Sequence, residues 1–169
     1  MKRARMSAAS RIAAFDKEDI AKDVQGWLTL EQKDPGMHFT AIELEYLDSG
    51  IYEDGHIWID YAIDTRHRHM NVYEILHGGV AATLFDDCIG IAGSVARGEQ
   101  YVTTSSMSLE YVRAMKGKRF RLHTEITHVG GHMVTGHGEL YDEKERLCVS
   151  CMASYTIHTD KADGPGRAL

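Results

Sequence analysis

Residues 77–96 read HGGVAATLFDDCIGIAGSVA, and the only charged side chains between Gly78 and Ala96 are those of Asp86 and Asp87. A helix that is apolar on all sides lies in the interior of a protein. Neighbouring segments must therefore wrap around this helix, and that requirement predicts the fold of the rest of the chain.

Strand-like segments flank the buried helix on both sides. Two precede it, at residues 39–47 and 56–64, with a turn predicted through Asp48-Ser49-Gly50 between them. Four follow it, at residues 101–112, 119–129, 132–142 and 147–159, separated by turn residues at 116–118, 130–131 and 142–144. The pattern predicts an α+β fold in which an antiparallel sheet of five or six strands wraps around one long helix.

A second helix is expected near the N-terminus. Apolar residues recur there at helical spacing among charged ones, and Asp34-Pro35-Gly36 ends the pattern; the apolar positions are Ile20, Val24, Trp27 and Leu28. We therefore divide the chain into an N-terminal extension with an amphipathic helix (1–36), a main domain (37–160) and a flexible C-terminal tail (161–169).

Composition excludes several classes of protein. The 169 residues are 43% hydrophobic and 26% charged, which is typical of a globular domain. A net charge of −6 argues against nucleic acid as the partner. No apolar run free of charges approaches the length of a membrane span, and we expect a cytoplasmic protein without a membrane partner.

The cysteines and histidines do not form a metal-binding pattern. Cys148 and Cys151 are spaced as CxxC, but on a strand residues three apart point to opposite faces. Ten histidines occur without a second ligand pair or an HExxH motif. We expect no metal site.

Asp86 is the candidate catalytic group, because a carboxylate in an apolar helix is costly unless it is paired or used. At 100° per residue it shares a lane of small side chains with Gly79, Ala82, Gly90 and Gly93. This lane either admits a substrate or packs against another helix. Asp87 lies on the bulky side of the helix and is expected to be structural, or to reach solvent at a dimer interface.

The start of the helix supplies a complementary feature. Two glycines follow His77 and leave free N–H groups at the positive end of the helix dipole, where a carbonyl oxygen can become negative. Gly78 and Asp86 are eight residues apart, roughly 12 Å along a helix. If both act on one carbonyl, they must come from different chains, which predicts a homodimer with two composite sites.

These residues resemble the hotdog-fold acyl-CoA thioesterases, in particular the branch of the phenylacetate-pathway and 4-hydroxybenzoyl-CoA enzymes. The matching positions are Asn71, His77-Gly78-Gly79, Asp86 and Thr104. The resemblance implies that Gly78 N–H polarises the thioester carbonyl, with Asn71 placing the carbonyl or the water. It also implies that Asp86 is the base or nucleophile, that Thr104 orients it or the water, and that His77 supports the loop.

The resemblance further implies a dimer or tetramer and no cofactor beyond the CoA of the substrate. It places the CoA phosphates near Gly131 and His132. A run of cations without acidic residues offers a second phosphate site, or a solvated hairpin turn; it comprises Arg113, Lys116, Lys118, Arg119 and Arg121. Within the small lane, Gly79, Ala82 and Gly90 are expected to contact substrate.

Two other functions stay open at this point. Hotdog folds also serve hydratases and dehydratases, which would pair His77 with Asp86, and proteins that bind acyl-CoA without turnover. The acyl group is equally open among aryl-acetyl, hydroxybenzoyl and medium-chain acyl groups.

Overall fold

The apolar stretch after His77 forms a long helix, α2 (Gly78–Ala96), whose inner face is buried. This is seen in a computed structural model that describes residues 16–33, 42–98 and 101–158. By length and hydropathy α2 is the one helix in these ranges that could cross a membrane, but 61% of it is buried inside the protein. It is the core helix that its composition predicts.

Six antiparallel strands wrap around α2 as one sheet. The strands are β1 (Glu43–Ile51), β2 (Ile57–Asp64), β3 (Tyr101–Tyr111), β4 (Arg119–Val129), β5 (Met133–Tyr141) and β6 (Leu147–His158). Their order in the sheet is β1-β2-β4-β5-β6-β3, and a short 3-10 turn, His67–His69, leads from β2 toward α2. The α+β prediction with five or six strands is therefore confirmed.

The first hairpin turn was predicted in the wrong place. Asp48, Ser49 and Gly50 lie inside β1, and the chain turns at residues 52–56 instead. A bulge between Tyr46 and Asp48 shifts the register, and Ser49 is buried against the Tyr46 hydroxyl. A Cβ at position 50 would lie 2.7 Å from the Trp58 ring. The glycine therefore allows a close cross-strand approach rather than a turn.

The predicted N-terminal helix is confirmed as α1 (Lys17–Lys33). Ile20, Val24 and Leu28 form its buried stripe, and Lys17 pairs with Asp48 of β1 at 2.6 Å. Residues 1–15, the expected stop at 34–36, both predicted domain boundaries and the tail 161–169 lie outside the described residues.

Strand β3 forms one edge of the sheet, and within the described residues only β6 pairs with it. Its register shifts between Thr104 and Ser106. Such a bulge exchanges the two faces of a strand, so that even-numbered residues face α2 before it and odd-numbered residues after it. As a result Thr104 and Tyr111 both reach α2, near its middle and its start respectively.

Candidate active site

The start of α2 presents an unused N–H group. His77 is the N-cap, and its Nδ1 accepts a hydrogen bond from Gly79 N–H at 3.1 Å. Gly78 N–H donates to no acceptor in the ranges that the structure describes. The Tyr111 ring lies over Gly78, and its hydroxyl donates to the Gly78 carbonyl at 2.7 Å. A free donor at the positive end of a helix can stabilise a developing oxyanion.

Asn71 lies beside this donor. Its Oδ1 accepts hydrogen bonds from the N–H groups of Tyr73 (2.9 Å) and Ile75 (3.4 Å). Both of these hydrogen bonds use Oδ1, so the Nδ2 group of Asn71 stays available to donate. Asn71 and Gly78 line one cavity of about 320 Å³, together with Tyr111 and Arg113.

Asp86 lies in a second cavity, of about 330 Å³, which it shares with Thr104. The Thr104 hydroxyl donates to the Asp86 carboxylate, and the Tyr155 hydroxyl donates to the Asp86 carbonyl at 3.0 Å. Burial, reinforced by the Asp86 charge, raises the pKa of Cys151 to about 12 and raises that of Tyr155 as well. The thiol and the phenol therefore stay neutral near pH 7, and neither is an activated nucleophile.

The two cavities share no lining residue. Gly78 belongs to the first and Asp86 to the second, and the two lie eight positions apart on α2. At 1.5 Å per residue this is roughly 12 Å. Within one chain the free N–H group and the carboxylate cannot meet at the same carbonyl group.

The lane of small residues is only partly open. Gly90 lines the Asp86 cavity, and a Cβ there would lie 3.4 Å from the Tyr155 ring. Gly93 is buried against Val134. Gly79 and Ala82, expected to contact substrate, line neither cavity, whereas Asp87 lines the Asp86 cavity.

The predicted phosphate contacts separate into two groups. Arg113 lines the Gly78 cavity, and its Nε donates to the Leu147 carbonyl at 3.2 Å. Lys116 and Lys118 are exposed nearby. Gly131 and His132 lie in the β4–β5 turn, where the His132 carbonyl accepts a hydrogen bond from Ile157 N–H of β6. Ile157 pairs with Val102 at the start of β3, which at the rise of a strand is roughly 30 Å from Tyr111 at the other end.

Acidic neighbours neutralise part of the cationic run. Arg119 contacts Glu45 and Asp64 at 2.6 Å each, and Arg121 contacts Glu145 at 2.6 Å. These two arginines support the hairpin rather than forming a free basic patch. In the described ranges no three His, Cys, Asp or Glu side chains are placed to hold a metal ion.

Sequence reasoning expected the strand at residues 101–112 to line the pocket, but it gave no individual role to four aromatic residues at the site. Tyr111 contacts Gly78, Tyr155 holds the backbone of Asp86, and Trp27 and Tyr101 line the Asp86 cavity.

A sequence signal was available for one of these contacts. Met107, Leu109 and Tyr111 are spaced by two, which indicates that the odd-numbered residues of this part of β3 face the core. No sequence signal brings Trp27 of α1 next to β3.

Comparison with known proteins agrees with this architecture. The sequence profile of the family described as the thioesterase superfamily matches residues 73–149. The chain is 27% identical over 113 residues to the 1,4-dihydroxy-2-naphthoyl-CoA hydrolase of Escherichia coli K12, a match that covers 66% of this chain and 83% of that protein.

Solved structures show the same fold. The E. coli PaaI protein from the phenylacetic acid degradation operon superposes with a TM-score of 0.69 at 10% identity, covering 85% of this chain and 96% of PaaI. A Streptococcus mutans protein solved bound to acetyl-CoA gives a TM-score of 0.60 at 17% identity, covering 72% of this chain and 91% of that one. The hotdog fold and the resemblance stated from the sequence are both confirmed.

Proposed function

We propose that this chain, which has the hotdog fold, belongs to the thioesterase superfamily and hydrolyses acyl-CoA thioesters to a free acid and coenzyme A. One observation carries the proposal. The helix α2 presents an unused N–H group at Gly78 and a carboxylate, held by Thr104, at Asp86. An oxyanion donor and a base or nucleophile are the two groups that thioester hydrolysis requires.

The separation of these two groups supports a homodimer. In a two-fold dimer the α2 helices can run antiparallel, so that Gly78 of one subunit faces Asp86 of the other. The two-fold axis then passes beside Ala82, which is midway between the two residues. Ala82 has only a methyl side chain and Gly79, about one helical turn away, has none, so the two helices can come close.

Strand β3 supports the same arrangement. Its outer edge is unpaired within the described residues, and four consecutive residues from Thr103 to Ser106 are exposed. An unpaired edge is a template for pairing with another chain. If two β3 strands pair antiparallel about Met107, Thr104 of one subunit lies opposite Glu110 of the other, and Tyr111 of that subunit is the next residue along the strand. The strand contacts and the helix contacts thus lead to the same composite site.

In this site the thioester carbonyl oxygen accepts a hydrogen bond from Gly78 N–H, with the Asn71 amide beside it. Asp86 of the partner then removes a proton from water, or attacks the carbonyl carbon itself to give an anhydride that water opens. In both routes the C–S bond breaks, water supplies the new oxygen, and a proton ends on the CoA sulfur. One oxyanion donor contributes about 2.7 to 4 kcal/mol, so the carboxylate supplies much of the remainder.

The Gly78 cavity is the proposed path of the CoA moiety, because Arg113 lines it and forms no ion pair with a described residue. A guanidinium group is well suited to phosphate. CoA enters as part of the substrate, and no other cofactor is required. The three cysteines are buried free thiols, in keeping with a cytoplasmic location.

The proposal is tested by thiol release from a panel of acyl-CoAs, with Asp86→Asn beside the wild-type protein. Glu53→Gln removes an exposed carboxylate in the β1–β2 turn and serves as the matched control. Because all three cysteines are buried, the thiol reagent reports CoA rather than protein. We expect Asp86→Asn to lower kcat by orders of magnitude with an unchanged oligomeric state, and Glu53→Gln to behave as wild type.

Near-normal turnover by Asp86→Asn would overturn the assigned mechanism. Formation of an enoyl product without thiol release would indicate a hydratase or dehydratase acting in the direction that eliminates water. That function needs His77 for proton transfer, whereas Nδ1 of His77 is occupied as the helix cap. Tight acyl-CoA binding without turnover would indicate a binding protein.

A further inference from the structure

We infer that Trp27 of α1 and Tyr101 of β3 form the closed end of the acyl cavity and set the largest acyl group that the enzyme accepts. The inference rests on the proposed function, since it assigns the Asp86 cavity to the acyl part of the substrate. It gives the N-terminal helix, which lies outside the segment matched by the superfamily profile, a role in specificity.

The packing of α1 fixes where Trp27 points. Ile20, Val24 and Leu28 are buried at spacings of four, so they form the face that binds the helix to the core. Trp27 is three residues after Val24 and lies on the flank of this face. It is only partly buried, and its ring borders the cavity that contains Asp86.

Two residues of this lining, Trp27 and Tyr101, contact each other. Their ring centroids are 5.8 Å apart with an angle of 81° between the planes, an edge-to-face pair. Edge-to-face pairs contribute about 0.5 to 1.5 kcal/mol beyond the area that they bury, so the two rings hold each other in place. The cavity therefore has a stiff aromatic wall supplied by two separate elements.

This wall lies at the end of the cavity away from the carboxylate. Along α2 the lining runs from Asp86 to Ser94, eight residues or roughly 12 Å. Along β3 it runs from Thr104 back to Tyr101, three residues or roughly 10 Å. An acyl group whose carbonyl is beside Asp86 thus extends toward Trp27 and meets the aromatic pair after roughly 10 to 12 Å.

The lining between these ends suits a short or flat apolar group. Gly90, Ile91 and Val102 supply apolar contact, and the absence of a side chain at Gly90 widens the cavity next to the Tyr155 ring. A long acyl chain would have to displace Trp27, and with it the contact between α1 and β3. Removing the indole should therefore extend the cavity and admit longer chains.

The test measures kcat/KM by thiol release for straight-chain substrates from acetyl-CoA to palmitoyl-CoA, and for benzoyl-CoA. The variants are Trp27→Ala, Trp27→Leu and Tyr101→Ala. Leu28→Ala is the control, because Leu28 is buried on the same helix but does not line the cavity. It weakens the attachment of α1 without opening the wall.

We expect Trp27→Ala and Tyr101→Ala to raise the ratio of long-chain to short-chain kcat/KM, by about fourfold for each further methylene that the enlarged cavity buries. Trp27→Leu should give a smaller rise, and it keeps the experiment decisive if Trp27→Ala does not fold. Leu28→Ala should leave the ratio at the wild-type value.

The inference is overturned if the wall variants keep the wild-type ratio, or if Leu28→Ala shifts the ratio as much as Trp27→Ala does. In the latter case looser attachment of α1, rather than loss of the wall, would explain the change. These results differ from failure of the proposed function, in which the wild-type protein releases thiol from no substrate in the panel.

Discussion

Replacing Gly78 by proline would remove the proposed oxyanion donor while preserving the helix. Gly78 is the first residue of α2 after the N-cap His77, and proline is favoured at this position because the N–H group there has no partner within the helix. His77 has ψ of 135°, within the range that a following proline requires. The substitution therefore deletes one N–H group and leaves the backbone path unchanged.

The expected loss follows from the value of one such donor. Removal of an oxyanion donor costs about 2.7 to 4 kcal/mol of barrier, or about 100- to 1000-fold in kcat. Proline also adds a Cβ, which would lie 3.3 Å from the exposed Tyr111 ring. Gly78→Ala adds the same atom but keeps the N–H group, so the difference between the two variants isolates the donor.

The assay is thiol release at saturating substrate, with circular dichroism and chemical denaturation to verify folding. We expect Gly78→Ala to retain most of the wild-type kcat and Gly78→Pro to lose at least two orders of magnitude. If a folded Gly78→Pro protein turned over as fast as Gly78→Ala, Gly78 N–H would not be the oxyanion donor.

Three further predictions concern single contacts. Thr104→Val removes the hydroxyl that donates to Asp86, and it should lower kcat about tenfold because an exposed charge-assisted hydrogen bond contributes about 1.5 kcal/mol. Thr104→Ser keeps a hydroxyl and should restore kcat. Equal values of kcat for the two variants would remove Thr104 from the site. Gly138→Ala places a Cβ 2.8 Å from the Phe85 ring and should lower the free energy of unfolding by about 1 to 3 kcal/mol in urea, and an unchanged midpoint would contradict this packing. The hydrogen bond from the Arg146 side chain lowers the pKa of Asp142 from 3.8 to about 2, so the stability that the carboxylate contributes is complete above about pH 4 and is lost as the pH falls toward 2. Asp142→Asn should flatten the pH dependence of the free energy of unfolding between pH 4 and pH 2. A curve parallel to that of the wild-type protein would refute this linkage.

Much of the fold could be predicted because the patterns that specify it are local. An apolar stretch of helical length must be buried, and this property of residues 78–96 determines that a sheet surrounds it. The later strands alternate in hydrophobicity between turn residues, and the predicted segment 119–129 coincides with β4. The predicted position of the first hairpin turn was wrong because Asp48-Ser49-Gly50 is typical of a turn. In the structure these residues follow a β-bulge within β1, and the Trp58 ring packs against Gly50.

The candidate site was only partly predictable, for a similar reason. Asp86 and Gly78 stand out because a carboxylate within an apolar helix and a glycine-rich helix start are visible in the sequence itself. Trp27 and Tyr101 meet only after α1 packs against β1 and α2, and no local sequence pattern predicts that contact. Arg119 and Arg121 looked like free cations because their acidic partners lie on other strands or beyond a turn.

In the proposed dimer each active site combines Gly78 of one subunit with Asp86 of the other. Co-expression of Gly78→Pro and Asp86→Asn chains with different affinity tags, followed by purification of the mixed dimer, tests this arrangement. Each parent homodimer should be nearly inactive. The mixed dimer contains one site with both defects and one with neither, so its kcat should be about half of the wild-type value. A mixed dimer no more active than its parents would contradict the composite site.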